Sequence, residues 1–189
     1  SATATLIDTS TETQDVVDLS TIGTAQLYSV WRQRSALGSD VYGDRVNVAL
    51  ASLGNRAGIS TGRSNELEPK VDGDATGALV VWQDFRNGVN SPAVYGARID
   101  DMGVLRDDRG FPLVDLPGGA FEQTVVKGPG QDYLVAGVRR QITTGSPEER
   151  IFFRLVRDED PAGMMTNVGD DNVPADGETR AGISFGPAQ

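Results

Sequence analysis

The sequence predicts an all-β chain of repeated four-stranded antiparallel sheets, and three observations predict it. The segments LVVWQDFRNG (Leu79–Gly88) and AVYGARID (Ala93–Asp100) have weaker copies on both sides. Upstream stand LYSVWRQR (Leu27–Arg34) and DVYGDRV (Asp40–Val46); downstream stand DYLVAGVRR (Asp132–Arg140) and ERIFFRLV (Glu149–Val156). Trp31 to Trp82 is 51 residues, Tyr42 to Tyr95 is 53, and Glu68 to Glu122 is 54, a spacing that marks a repeat architecture. Second, no apolar stripe at helical spacing runs beyond a turn or two. Third, the 189 residues include 23 glycines and 9 prolines, the punctuation that many short strands need.

The elements follow in order. Asp15–Ile22 reads as a strand within a Thr- and Ser-rich start. Leu27–Arg34 is a stronger strand, and RSALGSD after it reads as a loop. Val41–Leu50 alternates, placing Val41 and Arg45 on one face and Tyr42 and Val46 on the other, as a half-buried strand does. Asn55–Glu66 holds a short edge strand and a polar connection. Glu68–Asp72 is a strand closed by the turn DGDATG. Leu79–Trp82 is continuously apolar, the pattern of a central strand covered on both faces. DFRNGVNSP is a hairpin connection with its left-handed step at Asn87-Gly88. Val94–Ile99 returns antiparallel, and Phe111–Asp115, with its proline, suits an outer edge. Phe121–Val126, Tyr133–Arg140 and Ile151–Val156 repeat the order, followed by a long acidic segment and RAGISFG, an echo of RAGISTG at Arg56–Gly62.

One domain over residues 1–189 therefore divides into units near 12–62, 66–115 and 121–186. A sheet of four short strands cannot cover both its faces alone, so neighbouring sheets must stack. Radial stacking of such sheets is the β-propeller solution, usually with four to eight blades. Three units predict part of a larger ring, one ring of about six blades closed by two copies, an open stack, or a monomer capped by its divergent ends.

Composition excludes whole classes of chemistry. The formal charge is −10, which repels nucleic acid and anionic lipid. There is no histidine and no cysteine, so imidazole acid–base catalysis, thiolate nucleophiles, disulfides and Cys/His zinc sites are absent. No run of about eighteen apolar residues spans a membrane, and no signal peptide is visible.

Several motifs remain to be weighed. Gly58–Gly62 and Gly182–Gly186 both fit G-x-S-x-G, but a nucleophile elbow needs a helix after the serine and a histidine base. Asp72, Asp74 and Thr76 begin like a calcium loop, and calcium is the one cofactor the sequence offers a place for. The bidentate acid such a loop needs at its twelfth position falls on Gln83, so an Asp-rich turn is the default. Asp170–Glu178 is another oxygen-rich stretch, with Pro174 at a ligand position. Asp84 and Arg98, on adjacent strands, read as an ion pair within one sheet. Trp31 and Trp82 suit either core packing or a sugar platform, with core favoured because a tryptophan covers so much area. Adjacent acids such as Asp100-Asp101 and Asp107-Asp108 could serve a carboxylate-based glycoside hydrolase only if two converge on a bond.

The pattern P-x-V…DG…LVVWQD-x-R-x-G…VYG-x-R-I-D…G, read across Glu68–Asp115, resembles the blade repeat of secreted bacterial β-propeller proteins. The resemblance implies a non-catalytic binding or structural component of an extracellular or cell-surface assembly, exported by a bacterium. Its partners would be other subunits or further copies of itself, with glycans as the alternative. The residues most exposed to such a role are Trp31, Trp82, Asp84, Arg86 and Arg98.

Overall fold

A computed structural model describes residues 8, 10–47, 49, 52–54, 56–130, 132–142 and 147–157. The acidic stretch with Asp170–Glu178, the RAGISFG echo and the second G-x-S-x-G lie outside the described residues.

Eleven strands and no helix make up the described residues. The first sheet is β1 (Thr13–Ile22), β2 (Gln26–Ser35), β3 (Gly38–Asn47) and β4 (Ala57–Ser60), hydrogen-bonded in that order. The second repeats the order with β5 (Glu66–Asp74), β6 (Gly77–Asp84), β7 (Ala93–Asp100) and β8 (Phe111–Val114). The third holds β9 (Ala120–Lys127), β10 (Asp132–Ile142) and β11 (Pro147–Arg157). All pairings are antiparallel. Two boundaries differ from the sequence reading. RSALGSD is no loop: β2 and β3 close on Ala36 and Leu37 alone. β3 stops at Asn47, after which Ser52 forms only an isolated bridge to Val46.

The sheets stack face to face, first on second and second on third, in the manner of propeller blades. One core joins Tyr28, Val30, Val41 and Ile59 of the first sheet to Val80, Trp82, Tyr95 and Ile99 of the second. The other joins Leu79, Val81, Val94 and Leu113 to Val125, Val135, Phe152 and Val156 of the third. This alternation explains why β6 is apolar at every position from Leu79 to Trp82: each face has its own neighbour. Trp31 pairs with Tyr42 and Trp82 with Tyr95, so the two tryptophans hold the same place in successive sheets. In the third sheet Gly137 pairs with Phe152 there, and the Phe152 ring takes the space a side chain at Gly137 would need.

The glycines of Tyr42-Gly43 and Tyr95-Gly96 allow close approach. A Cβ at Gly96 would stand 2.9 Å from Leu113 on β8, and one at Gly43 2.9 Å from Ile59 on β4. Real Cβ atoms avoid such distances, so a side chain at either position would have to push the end of Ile59 or Leu113 aside.

The innermost strands share a second device. Val16, Glu68 and Glu122 have φ of 50°, 52° and 53°. Each sits at a register shift between the innermost strand and its neighbour: Asp15/Asp18, Leu67/Lys70 and Ala136/Val138. A left-handed non-glycine residue is sparsely populated and a β-branched one more so. Its recurrence in three sheets makes it a property of the architecture.

Equivalent hydrogen bonds then tie neighbouring sheets. Four residues past the bulge, Ser20 accepts from the Gly73 amide at 3.1 Å, and Asp72 accepts from the Lys127 amide at 2.7 Å. Asp18 adds a bond from the Val71 amide at 3.0 Å.

Candidate functional site

Two of the bulges lie on one groove. Glu68 on β5 and Glu122 on β9 are exposed and line one open groove of about 660 Å³ between the second and third sheets. Phe85, Phe121, Lys70, Gln83 and Asn90 line it as well. The Gln123 side-chain amide donates to the Glu68 carbonyl, tying one bulge to the other. The Ala120 amide donates to the Pro92 carbonyl at 2.7 Å and the Arg140 amide to the Gly119 carbonyl at 2.8 Å. These bonds pin the groove's rim. The Arg140 guanidinium lies over the Phe121 ring at 5.2 Å and pairs with Glu149 at 2.9 Å. The groove thus combines aromatic rings, carboxylate acceptors and amide and ammonium donors, the mixture that binding sites for polar small molecules use.

The sequence marked Glu68 and Glu122 only by their spacing of 54. Nothing in their neighbourhood announced a left-handed backbone, because neither is Gly, Asn or Asp. Phe85 and Phe121 carried no signal separating them from core.

The residues singled out from sequence lie elsewhere. Trp82 is fully buried, with its Nε1 donating to Asp84 at 2.8 Å, and Trp31 is 4% exposed. Neither offers a ring face to a ligand. Asp84 and Arg98 do not pair, which corrects the expected ion pair. In the β6–β7 register Asp84 lies opposite Ala93 and Arg98 opposite Leu79, five residues along the strand. Asp84 instead binds Arg86 at 2.6 Å, and Arg98 binds Asp107 at 2.6 Å. Burial raises the Asp107 pKa, but hydrogen bonds from Arg98 outweigh it and hold the carboxyl below the usual range. Burial likewise disfavours the Arg86 charge, and Asp84 more than offsets it. The Arg86 guanidinium also stacks on Tyr95 at 3.9 Å.

The calcium-like turn is occupied by protein donors. Asp72 accepts from the Ser20 hydroxyl at 2.8 Å as well as from Lys127, and Asp74 accepts from the Thr76 amide at 2.8 Å and hydroxyl at 2.7 Å. The Lys127 ammonium stands 3.6 Å from Asp74. Asp72, Asp74 and Thr76 therefore close a turn, and Asp72 joins the second sheet to both of its neighbours. Among the described residues no group of three or more acids has the placement for a metal ion. Ser60 of the first G-x-S-x-G ends β4 with no helix after it, and Asp100 caps its own turn through the Met102 and Val104 amides.

Fold and groove together define an all-β stack of propeller-like sheets with a polar, aromatic-lined cleft between two of them. No protein-family model matches the chain, and no curated protein matches it. Among solved structures it is similar to the α-L-arabinofuranosidase Arb93A from Fusarium graminearum, determined with an iminosugar inhibitor. That match has a TM-score of 0.45 at 14% identity, covering 75% of this chain and 46% of the enzyme. A likeness of that degree does not bear on activity. Among the described residues no helix is long and apolar enough to cross a membrane.

Proposed function

We propose that the protein is a non-catalytic saccharide-binding module and that a short saccharide lies in the groove between the second and third sheets. One observation carries the reading: the equivalent bulges at Glu68 and Glu122 lie on the same cleft that Phe85 and Phe121 line. Sugar hydroxyls donate to carboxylates, and the apolar C–H face of a sugar packs on an aromatic ring. Lys70, Gln83 and Asn90 supply donors for ring and hydroxyl oxygens. The resemblance of Glu68–Asp115 to secreted blade repeats supports an extracellular or cell-surface setting.

A glycan array followed by calorimetry tests this. Binding to one glycan class is expected, weakened about tenfold by Glu68→Gln or Glu122→Gln through loss of charge-assisted hydrogen bonds. No glycan binding at all would refute the proposal. Release of reducing sugar, lost in the same variants, would replace it with a hydrolase.

A second reading has its own observation. Val126, Ile151 and Phe153 are exposed on the third sheet and alternate with Val125, Phe152 and Val156, which face the second sheet. That face is equivalent to the one by which the second sheet covers the third, and self-association through it would hide it. Light scattering is the check: a mass near 20.1 kDa dismisses association, and twice that mass, restored to one by Phe153→Asp, supports it.

A further inference from the structure

The first two residues of β5 stand apart from the rest of the strand. Glu66 pairs with Asp84 and Leu67 with Gln83; the register then shifts, and pairing resumes at Lys70 with Val81. Between the two parts lie Glu68, with its left-handed backbone, and Pro69, which has no amide to give to the ladder. The bulge itself is held. The Gln123 side-chain amide donates to the Glu68 carbonyl, and beyond the bulge Asp18 accepts from the Val71 amide. Upstream, the chain is exposed at Thr61, Gly62, Arg63 and Asn65. The Asn65 carbonyl accepts from the Phe85 amide at 3.0 Å, and its side-chain oxygen accepts from the Ser39 amide at 3.2 Å. A two-pair segment with a fixed bulge behind it and an exposed connection before it can open without the rest of the sheet.

This segment carries an acid set among acids. Glu66 is 1% exposed, and Asp84, opposite it in the register, is fully buried. Arg86 binds both oxygens of Asp84, and Trp82 donates to one of them, so Asp84 already holds the Arg86 charge. The Glu66 Oε1 accepts from the Ser64 hydroxyl at 2.6 Å, while its Oε2 is buried with no hydrogen-bond partner. Asp40 on β3 adds a second negative charge near it, and Arg109 of the β7–β8 connection lines a small pocket together with Glu66 and Arg86. We infer that Glu66–Leu67 is a pH-operated latch beside the groove: with Glu66 uncharged the segment stays paired to β6, and with Glu66 ionised opposite Asp84 it swings out about the Glu68–Pro69 bulge.

Opening reaches the groove through β6. Gln83, the partner of Leu67, and Phe85, whose amide is held by Asn65, both line it, as does Glu68. Control of ligand binding rests on the saccharide reading of that groove; the hinge does not. Burial, together with Asp84 and Asp40, pushes the Glu66 pKa up to about 7, with the Ser64 hydrogen bond and Arg86 acting the other way. An open segment returns the carboxyl to water and to its ordinary 4.5. The closed form therefore holds a proton that the open form releases. Opening becomes more favourable as pH rises from 4.5 to about 7, by about 300-fold in total, and no further above that.

Amide hydrogen exchange of the full-length protein, taken relative to unstructured amides at each pH, tests the hinge without a ligand. Between pH 5 and pH 8 the protection of the Ser39 and Phe85 amides should fall by about tenfold or more. At pH 8 both should exchange well ahead of the Val71 amide, on the far side of the bulge. Glu66→Gln, uncharged at either pH, should remove the pH dependence; the comparison of Phe85 with Val71 in the parent stands without that variant. Calorimetry with the neutral disaccharides cellobiose, maltose and lactose tests the control of binding. A disaccharide that binds should bind the parent more weakly at pH 8 than at pH 5, and Glu66→Gln equally at both. The latch is overturned if protection of Ser39 and Phe85 does not change with pH, if it equals that of Val71 at pH 8, or if the change persists in Glu66→Gln. Exchange as expected with binding that ignores pH overturns the control of the groove and keeps the hinge. Exchange as expected with no glycan bound at either pH keeps the hinge and refutes the saccharide reading.

Discussion

The first and second sheets hold the same constellation around their tryptophans and complete it differently. Trp31 lies beside Tyr42 and Trp82 beside Tyr95, with ring centroids 6.3 Å apart in both pairs. A guanidinium covers each tyrosine, Arg56 at 4.4 Å and Arg86 at 3.9 Å. The two arginines come from different places: Arg56 precedes β4, whereas Arg86 belongs to the β6–β7 connection. Asp84 serves both Trp82 and Arg86, while the equivalent Gln33 gives its oxygen to Arg56 at 2.7 Å and its amide to Glu12. Trp31 Nε1 is left buried without a hydrogen-bond partner. The repeat thus preserves a contact and not a residue. A carboxylate accepts from two donors at once; a carboxamide spends half its capacity donating.

The sharpest break of this comparison is to truncate both acceptors. Asp84→Ala leaves the Trp82 N–H without a buried acceptor and Arg86 without its partner, and should cost about 3–5 kcal/mol by denaturant unfolding. Gln33→Ala should cost only about 1 kcal/mol, since Trp31 Nε1 has no bond to lose. Equal losses would mean that the two sheets do not differ as described.

The difference extends one pair along the strands. The first sheet sets Gln14 opposite Gln33, two amides; the second sets Glu66 opposite Asp84, two acids. Because burial raises the Glu66 pKa from 4.5 to about 7, the folded protein holds a proton that the unfolded chain has released. Stability therefore falls as pH rises from about 4.5 to 7 and stays lower above it. Glu66→Gln copies the first sheet, removes that fall, and should be more stable than the parent at pH 8 by about 3 kcal/mol. Parallel stability–pH curves for the two proteins would sink this.

A smaller contrast lies in the two Tyr-Gly glycines. A Cβ at Gly43 meets the Tyr28 ring at 2.7 Å as well as Ile59, whereas one at Gly96 meets the end of Leu113, which can swing. Both alanine variants should be destabilised within the 1–3 kcal/mol typical of overpacking, Gly43→Ala by about 1 kcal/mol more. Thermal midpoints in the opposite order would reverse which outer strand is the more tightly folded.

These pairs also show what could be read from the sequence. The spacing of Trp31 to Trp82 located equivalent positions on β2 and β6, and the apolar run of β6 foretold a sheet covered on both sides. Both signals are periodic and local. The partner of Arg98 was not legible, because adjacency of strands says nothing of offset along them; Asp107 reaches it from the β7–β8 loop. The left-handed bulges were invisible because Val16, Glu68 and Glu122 are residues that avoid such backbone. The groove was not legible either, because it depends on tertiary placement. It needs the second and third sheets side by side.

The smallest expected effect concerns the bonds between sheets, where the first junction uses a hydroxyl and the second a carboxylate. Ser20→Ala removes a neutral acceptor from the Gly73 amide and should cost about 1 kcal/mol; Asp72→Ala removes a charged one from the Lys127 amide and should cost about 2 kcal/mol. Amide hydrogen exchange resolves what global stability blurs. Ser20→Ala should speed exchange at Gly73 and leave Lys127 unchanged, whereas Asp72→Ala should speed it at both, because the Gly73 amide also donates to Asp72 at 2.9 Å. Faster exchange at Lys127 in Ser20→Ala would mean that the sheets open as one unit. In the third sheet the same position is Val126, exposed and without a polar atom in its side chain. Val126→Asp restores the acceptor that the first two sheets hand forward. It should leave stability within about 0.5 kcal/mol of the parent if no further sheet follows in the same way, since a surface substitution that touches nothing has little to change.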